Sequence, residues 1–231
     1  MLGIIGAMEE EIAKIKEEME QVKVERTAGM EFNCGKLRGI DAVVVRSGIG
    51  KVNAALCSQI LADCYHVDAI INTGIAGSLK NEINIGDIVL STDALQHDMD
   101  ATSFGYEPGQ VPSLDVLSFR ADEKLIHMAK ECCETVNPEI NVFTGRIVSG
   151  DQFVSDRDKK KWLAETFDGF CTEMEGAAIA QAAYLNNIPY LVIRAISDKA
   201  DDSATVDYPA FEAKAIEHSV RLLLAMAERI G

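Results

Sequence analysis

The side chains best able to do chemistry lie between residues 172 and 202. Glu173 and Glu175 stand before a helix of small residues, and Arg194 interrupts an apolar run that ends near Asp198. A guanidinium in a buried strand must pair with an acid or a ligand. In open α/β sheets, ligands bind beyond the carboxyl ends of the strands. We therefore expect Arg194 and Asp198 to point at a site, with the two glutamates at the edge of the preceding loop.

The acidic residues of this segment, unlike Arg194, also have an ordinary structural explanation. Glu173 and Glu175 could be carboxylates favoured by the dipole at a helix N-terminus. Ser197 and Asp198 could form a helix cap or a turn. On this segment alone, the site and the structural explanation both remain open.

Three further stretches are rich in glycine or acid. Residues 9–11 are three glutamates that follow a short apolar strand. The loop at residues 47–51 is glycine-rich and precedes a helix, but it matches neither common nucleotide-phosphate motif, so it is a weak indication of phosphate binding. Residues 73–78 are interpreted as a second glycine-rich turn at a strand end.

The long segment at residues 92–118 is predicted to be a projecting arm. A loop of this length within a compact domain is usually functional. Phe104 and Pro112 suggest that the arm reaches a partner subunit. His97, Asp98 and Asp100 could be read as metal ligands, but no second ligand set accompanies them.

Size and composition narrow the class of protein. The 231 residues carry a net charge of -15, with 48% hydrophobic and 26% charged residues. Such an acidic chain is not expected to bind a nucleic acid backbone. No apolar run approaches the roughly 20 residues that cross a bilayer, so no membrane partner is expected. No signal peptide is recognised. The six cysteines lack the spacing of a metal site and suit reduced thiols. The predicted location is therefore cytoplasmic.

Apolar periodicity predicts strands that alternate with helices, and hence an α/β class in one domain, residues 1–231. An early antiparallel hairpin makes the sheet mixed. The predicted strands are 2–8, two or three strands within 22–46, 68–72, 86–91, 142–149 and 190–196, and the predicted helices begin near residues 9, 51, 122, 158, 176 and 207.

Four stretches together carry a family resemblance. They are GIIGAMEEE at 3–11, SGIGKVNAA at 47–55, FGYEPGQVP at 104–112 with SGDQF at 149–153, and EMEGAAIAQ with VIRAISDKAD within 173–201. In order and spacing they resemble the 5′-methylthioadenosine/S-adenosylhomocysteine nucleosidases, in the purine nucleoside phosphorylase-like superfamily. The resemblance implies a three-layer α/β/α sandwich with a mixed central sheet, a homodimer, and hydrolysis of an adenine N-glycosidic bond without a metal or organic cofactor.

The resemblance also implies roles for individual residues. Asp198 would protonate adenine N7 as general acid, and Glu11 would activate the attacking water as base, a division of labour that two carboxyl groups can perform at a glycosidic bond. Arg194 would hold that water and orient Glu11. Glu175 would accept hydrogen bonds from the ribose hydroxyls.

The remaining family positions would line the bound nucleoside. Phe153 would stack on adenine, and Val154 would contact the base through its backbone. The ribose and alkylthio side would be lined by Met8, Ile49 and Met174, with Phe104 and Pro112 contributed by the neighbouring subunit. Glu173, Ser197 and Ile75 complete the predicted set.

Ile75 departs from the family pattern. The family commonly reads N-T-G-S-A-G, with the serine near the attacking water, whereas residues 72–77 here read NTGIAG. Ile75 offers no hydroxyl, so we expect it not to make that contact with the water.

Three alternatives remain after the resemblance. A phosphorolytic enzyme of the same superfamily would need cationic and hydroxyl donors for phosphate. A hydrolase for futalosine-type nucleosides would differ only in the 5′ substituent. A non-catalytic nucleoside-binding protein would not need acid and base positions, yet Glu11, Glu175, Arg194 and Asp198 are all present.

Overall fold

A computed structural model describes residues 1–231, apart from the side chain of Pro209. Strands and helices alternate along most of the chain, as the apolar periodicity predicts. The strands are β1 Leu2–Gly6, β2 Met19–Thr27, β3 Met30–Leu37, β4 Ile40–Arg46, β5 Ala69–Ser78, β6 Ile88–Gln96, β7 Phe119–Arg120, β8 Val142–Ser149, β9 Cys171–Glu173 and β10 Tyr190–Asp198. The helices are α1 Glu9–Glu17, α2 Lys51–Tyr65, α3 Glu123–Val136, α4 Arg157–Phe167, α5 Gly176–Leu185 and α6 Ala204–Ile230, with a short 3-10 helix at Thr102–Phe104.

The central sheet is mixed. β1 lies between β4 and β5 and is parallel to both. The pairs β2–β3 and β3–β4 are antiparallel and extend the sheet to one edge. Strands buried on both faces read as continuous apolar runs, which explains the Val43–Val45 and Leu191–Ile193 segments in the core. The predicted mixed α/β sheet is confirmed.

The other half of the sheet closes into a ring of five strands. β10 pairs in parallel with β5 and antiparallel with β6, while β6, β8, β9 and β5 are also joined in sequence. Apolar periodicity does not predict this closure, because the closure depends on which strands pair and not on their composition. The carboxyl ends of β5 and β10 therefore lie side by side, and β9 brings Thr172 opposite Gly77.

Helices cover both faces of the sheet and give the three-layer arrangement. α2 and α5 pack together on one face, while α6 packs on β5 and β10 beside α1 and α3 on the other. The small side chains of α5, such as Ala177 and Ala180, are completely buried, which lets this helix lie close on the sheet. Within the described part of the chain, no helix combines the length and the apolar character needed to cross a membrane.

The predicted turn at residues 73–78 is wrong. This segment continues β5 to Ser78, because it pairs with β10 on one side and with β9 on the other. Glycine and threonine favour a turn locally, but hydrogen bonds from two neighbouring strands override that preference.

The end of β10 and the start of α6 differ from the prediction, and both differences change the element to which site residues belong. β10 runs through Ser197 to Asp198, so these residues form the end of a strand and not a helix cap or turn after it. α6 begins at Ala204, three residues earlier than the predicted start at residue 207. As a result, Thr205 and Tyr208 belong to the first turns of a helix that faces the sheet.

Candidate active site

A cavity of about 590 Å³ opens at the carboxyl ends of β1, β5 and β10. Most of the site residues predicted from the sequence line it: Met8, Glu11, Ile49, Ile75, Phe153, Glu173, Met174, Glu175, Ser197 and Asp198. Residues that were not predicted also line it: Ala7, Ala76, Thr172, Thr205 and Tyr208.

Glu11 is the third residue of α1, and its carboxylate turns back towards the end of β1. Oε2 accepts hydrogen bonds from the backbone N–H groups of Ala7 at 2.7 Å and Met8 at 3.0 Å, and Oε1 accepts one from Ile75 at 3.2 Å. Burial raises the pKa of Glu11, although the Arg194 charge and these hydrogen bonds partly oppose the rise. Glu11 is thus a fixed carboxyl group that can bind a proton more readily than an exposed glutamate.

Asp198, the last residue of β10, enters the same cavity from another side. Its Oδ1 accepts a hydrogen bond from the Ala200 backbone N–H at 2.7 Å, and its Oδ2 accepts one from the Ser197 hydroxyl at 2.9 Å. Burial raises the pKa of Asp198 in spite of both hydrogen bonds. A buried carboxyl group of this kind can serve as a proton donor.

β5 passes both carboxyl groups and has a glycine at each point of contact. A Cβ atom at Gly74 would lie 2.5 Å from Glu11 Oε1, and one at Gly77 would lie 2.8 Å from Asp198 Oδ1. Both distances are too short for any side chain. The glycines that suggested a turn in the sequence are therefore required because two acids approach the strand closely.

Arg194 lies beneath the cavity and does not line it. Its side chain is only 2% exposed, and its Nη2 donates to Asn72 Oδ1 and Glu173 Oε2. Its Nη1 donates to the Ile193 carbonyl at 3.0 Å and lies 3.2 Å from a Cβ position built at Gly74, the position that Glu11 Oε1 also approaches. The acid that pairs with Arg194 is thus Glu173, while Glu11 approaches the same position at Gly74 without forming a direct ion pair with Arg194.

Glu173 is held ionised although it is buried. Burial by itself would raise its pKa, but the Arg194 charge and a hydrogen bond from the Ser149 hydroxyl hold the pKa below its ordinary value. Oε2 also accepts the backbone N–H groups of Gly176 at 2.8 Å and Glu175 at 3.1 Å. Glu173 therefore takes the helix N-terminal position considered for it and also faces the cavity.

Glu175 is buried without a cation in direct contact. Its Oε1 accepts the Gly50 backbone N–H at 2.8 Å, which joins the glycine-rich loop at residues 48–50 to the site. Burial and the nearby Glu173 charge raise the pKa of Glu175 to about 8, against the opposing effect of Arg194. Glu175 is thus a carboxyl group whose charge depends on its neighbours and on whatever binds beside it.

An aromatic pair covers the open side of the cavity. Phe153 is 52% exposed, and its ring meets the Tyr208 ring edge-on with centroids 5.9 Å apart. The Tyr208 hydroxyl lies 3.4 Å from Met8 Sδ. Thr205 escaped the sequence analysis because it precedes the predicted start of the last helix near residue 207. Tyr208 lay within that predicted helix but was not assigned to the site; the signal available was an aromatic residue ten positions after Asp198 in the chain.

Three of the predicted site residues lie away from the cavity. The Val154 side chain is 7% exposed and packs in a separate apolar cluster with Leu163 and Phe167. Phe104, which is 85% exposed, and Pro112 lie on the surface of the arm at residues 97–118. Neither Phe104 nor Pro112 reaches the cavity of its own chain.

The possible metal site at His97, Asp98 and Asp100 does not form. Across the described residues, no group of three or more His, Cys, Asp or Glu side chains is arranged to hold a metal ion. Asp98 pairs with Lys51, and Asp100 binds Thr102. The His97 ring is buried, which lowers its pKa to about 4 and keeps it neutral near pH 7.

We predict that Arg194→Met lowers the free energy of unfolding by roughly 3–5 kcal/mol, because it leaves the buried Glu173 carboxylate without its cation. Urea unfolding monitored by circular dichroism measures the loss. The double variant Arg194→Met/Glu173→Gln should recover much of it, since a neutral amide can still accept the Gly176 N–H. Arg26→Met, which breaks an exposed ion pair with Glu31, is the control and should change stability little. Equal losses for Arg194→Met and Arg26→Met would contradict the buried-pair explanation.

Comparison with known proteins identifies the family. The family model described as the Phosphorylase superfamily matches residues 1–228. A 5′-methylthioadenosine/S-adenosylhomocysteine nucleosidase of Bacillus licheniformis is 42% identical over 231 residues, which cover 100% of this chain and 99% of the relative. The structure of such a nucleosidase from Neisseria meningitidis, in complex with methylthio-immucillin-A, is 38% identical with a TM-score of 0.95, and the match covers 99% of this chain and 98% of that one. The futalosine hydrolase of Helicobacter pylori is 32% identical with a TM-score of 0.93, over 99% and 97% of the two chains. Since the family model spans almost the whole sequence, the chain belongs to the Phosphorylase superfamily.

Proposed function

We propose that this protein hydrolyses the N-glycosidic bond of 5′-methylthioadenosine and S-adenosylhomocysteine, releasing adenine and the 5-substituted ribose. The observation that carries the proposal is that Glu11 and Asp198, from different ends of the chain, open onto one cavity. The nucleosidases among the relatives support the choice of substrate, because they match this chain over nearly its full length. 5′-Deoxyadenosine is a further candidate substrate.

In this proposal the two carboxyl groups divide the proton transfers. Breaking the bond develops positive charge on the ribose and negative charge on the leaving base. Asp198, with its raised pKa, donates a proton to adenine N7 as general acid. Glu11 accepts a proton from the attacking water. Its Oε2 already accepts two backbone hydrogen bonds, whereas Oε1 accepts only that of Ile75, so Oε1 keeps a lone pair for the water.

The ribose is assigned to Glu175. Its Oε1 is bound by the Gly50 N–H, and its Oε2 has no hydrogen-bond partner within the described structure. That oxygen can accept hydrogen bonds from sugar hydroxyls, and the positive charge that develops on the sugar favours the ionised form of this carboxyl group.

Apolar contacts are assigned to the two ends of the nucleoside. Phe153 stacks on adenine, and the backbone at Val154 contacts the base edge. Met8, Ile49 and Met174 line the sugar and alkylthio side, where a thioether is desolvated at less cost than a hydroxyl or phosphate. Glu173 and Ser197 support the site, since Glu173 pairs with Arg194 and the Ser197 hydroxyl binds Asp198.

Ile75 and Arg194 bear on the attacking water in different ways. Ile75 supplies its backbone N–H to Glu11 but an apolar side chain to the cavity, so the water depends on Glu11 for its main contact. We propose that Arg194 acts on the water through Glu11, whose anionic form its buried charge favours.

The test of function is adenine release from a panel of nucleosides. The panel contains 5′-methylthioadenosine, S-adenosylhomocysteine, 5′-deoxyadenosine and futalosine, each assayed by chromatography with and without inorganic phosphate. We expect phosphate-independent release of adenine from the thio-nucleosides. Turnover that requires phosphate and yields a sugar 1-phosphate would contradict the proposal. A preference for futalosine would favour the second candidate, a hydrolase like the matched Helicobacter pylori protein.

The variants Asp198→Asn and Glu11→Gln should each lower kcat by roughly 100-fold or more, which is the scale of acid–base contributions. Both changes keep the side-chain size and remove the ability to exchange the proton, and each also replaces one acceptor oxygen by an NH2 group. Steady-state rates on 5′-methylthioadenosine measure the effect, and Asp156→Asn, at the N-cap of α4, is the matched control. A near-normal rate for either site variant would remove that residue from its role.

The pH dependence of kcat/KM should be bell-shaped. Burial raises the pKa of Glu11, so activity is lost as pH falls through that pKa and the base becomes protonated. Burial also raises the pKa of Asp198, so activity is lost as pH rises through that pKa and the acid becomes ionised. Asp198→Asn should abolish the alkaline limb of the residual activity and leave the acidic limb. An unchanged alkaline limb in this variant would show that another group is the acid.

Gly74→Ala should lower kcat at least about tenfold, because its methyl group would displace the base Glu11 and proton transfer depends on hydrogen-bond reach. Gly3→Ala in β1 is the control, since its Cβ would meet the ends of the Leu61 and Val67 side chains, at 3.1 and 3.3 Å, and no residue of the cavity. Circular dichroism checks that both variants fold. Equal kinetics for the two variants would contradict the requirement for glycine beside Glu11.

We also propose that the protein is a homodimer in which Phe104 and Pro112 close the neighbouring site. The support is the exposure of large apolar side chains. Phe104 is 85% exposed, and Ile49 and Val52, at the start of α2, are exposed as well. Large exposed apolar surfaces favour contact with a partner. A single domain over residues 1–231, supported by the continuous sheet, completes the proposal. A cytoplasmic location stays a prediction of the sequence.

Subunit mixing tests the shared site. Phe104→Ser and Glu11→Gln should each be impaired alone, the first by about tenfold in KM because an aromatic ring leaves the pocket. Mixed dimers would contain one complete site, with Glu11 from one chain and Phe104 from the other. Mixing should therefore restore activity, and light scattering should give twice the 25.1 kDa chain mass. A monomer, or no gain on mixing, would contradict the proposal.

A further inference from the structure

The first turn of α2 is capped by a residue one hundred positions away. Gly50 occupies the N-cap position and has no side chain to accept the free N–H groups of the helix. Asp151, in the loop between β8 and α4, supplies the acceptor: its Oδ1 binds the Lys51 backbone N–H at 2.8 Å. Gly50 has φ +96°, and a Cβ atom there would lie 3.1 Å from Asp151 Oδ1, so the glycine also permits this approach.

Asp151 is itself held in place by a closed set of contacts. Its backbone N–H donates to Asp98 Oδ2 at 3.0 Å, and Asp98 Oδ1 accepts from Lys51 Nζ at 2.5 Å. Lys51 Nζ also donates to Gln96 Oε1 at 3.0 Å. Lys51, Asp98 and Asp151 thus form a cycle that ties the end of β6 and the β8–α4 loop to the start of α2.

Gly150, the residue before Asp151, is also tightly packed. A Cβ atom at Gly150 would lie 2.3 Å from the buried His97 ring, and the Gly150 N–H donates to the Glu173 carbonyl at 3.1 Å. The loop is therefore fixed at Gly150 and at Asp151, and Phe153 follows two residues after Asp151.

The same turn of α2 also holds Glu175. The N–H groups of two consecutive residues are divided between two carboxylates, that of Gly50 going to Glu175 Oε1 and that of Lys51 going to Asp151 Oδ1. One carboxylate is assigned to the sugar, and the other belongs to the loop whose aromatic residue is assigned to the base. The start of α2 therefore connects the carboxylate assigned to the sugar with the loop assigned to the base.

We propose that Asp151 is a positioning residue: by capping α2 from the base-binding loop, it sets the place of Gly50 and, through Gly50, of the Glu175 carboxylate. The inference rests on the proposed nucleosidase function. It assigns to Asp151 no contact with the substrate.

The test compares two substitutions of Asp151 with a matched cap elsewhere. Asp151→Ala should lower kcat/KM for 5′-methylthioadenosine about tenfold, the size that the loss of one capping bond corresponds to. Asp151→Asn keeps an oxygen acceptor and should stay within about threefold of the parent protein. Asp122→Ala removes the N-cap of α3, whose side chain accepts the Leu125 N–H at 2.9 Å, and should leave kcat/KM unchanged. If Asp151→Ala behaves like Asp122→Ala, the proposal is overturned.

A double-variant cycle with Glu175→Gln separates positioning from a general structural effect. If Asp151 acts through Glu175, Asp151→Ala should cost clearly less in the Glu175→Gln background than in the parent protein. Independent effects that multiply would overturn the proposed route. The parent protein's activity on the nucleoside panel is measured in the same experiment, so a failure of the proposed function, with no turnover at all, is distinguished from a failure of the role of Asp151.

Discussion

One buried cation, Arg194, stands among three buried carboxyl groups, and the rest of the site depends on that imbalance. Glu173 is in direct contact with the guanidinium and stays ionised. Glu11 and Glu175 share the same charge from farther away, so burial prevails and the pKa of each is raised. Removing a second or third carboxylate from water without a partner costs several kcal/mol. The floor of the cavity therefore contains one permanent anion and two carboxyl groups that can exchange protons.

The backbone makes this crowding possible. β5 runs between β1 and β10 and presents glycine where Glu11 approaches and again where Asp198 approaches. Closure of the sheet brings the ends of β5, β9 and β10 together, so acids from distant parts of the sequence enter one cavity. Pairing on both sides fixes β5, and the carboxyl groups are held by backbone N–H groups instead of mobile side chains. A rigid frame of this kind suits groups that must keep their geometry during a reaction.

The sequence was sufficient for the class of fold and for most of the cavity lining. Asp198 could be placed because polar residues that end an apolar run lie at the edge of a sheet, where ligands bind. The interpretation of residues 73–78 failed because glycine and threonine indicate a turn locally, while the two neighbouring strands that pair with them are far away in sequence. The partner of Arg194 could not be chosen from the sequence either: Glu11, Glu173 and Glu175 are all acids near strand ends, and only the three-dimensional arrangement selects Glu173. Thr205 was missed because the start of α6 was set three residues too late, and Tyr208 was missed because the sequence does not show which side of that helix faces the cavity.

The use of the two N–H groups at the start of α2 has a consequence for the choice of nucleophile. A glycine-rich loop before a helix is a natural cradle for a free inorganic anion. Here the cradle is already filled by the chain's own carboxylates, and the ammonium group of Lys51 is neutralised by Asp98. An incoming oxyanion would find these N–H groups already bound to carboxyl groups of the chain, whereas a neutral molecule does not need them. Because its N–H groups already bind carboxyl groups of the chain, the loop does not provide a free anion-binding site. This favours water over an oxyanion as the attacking group.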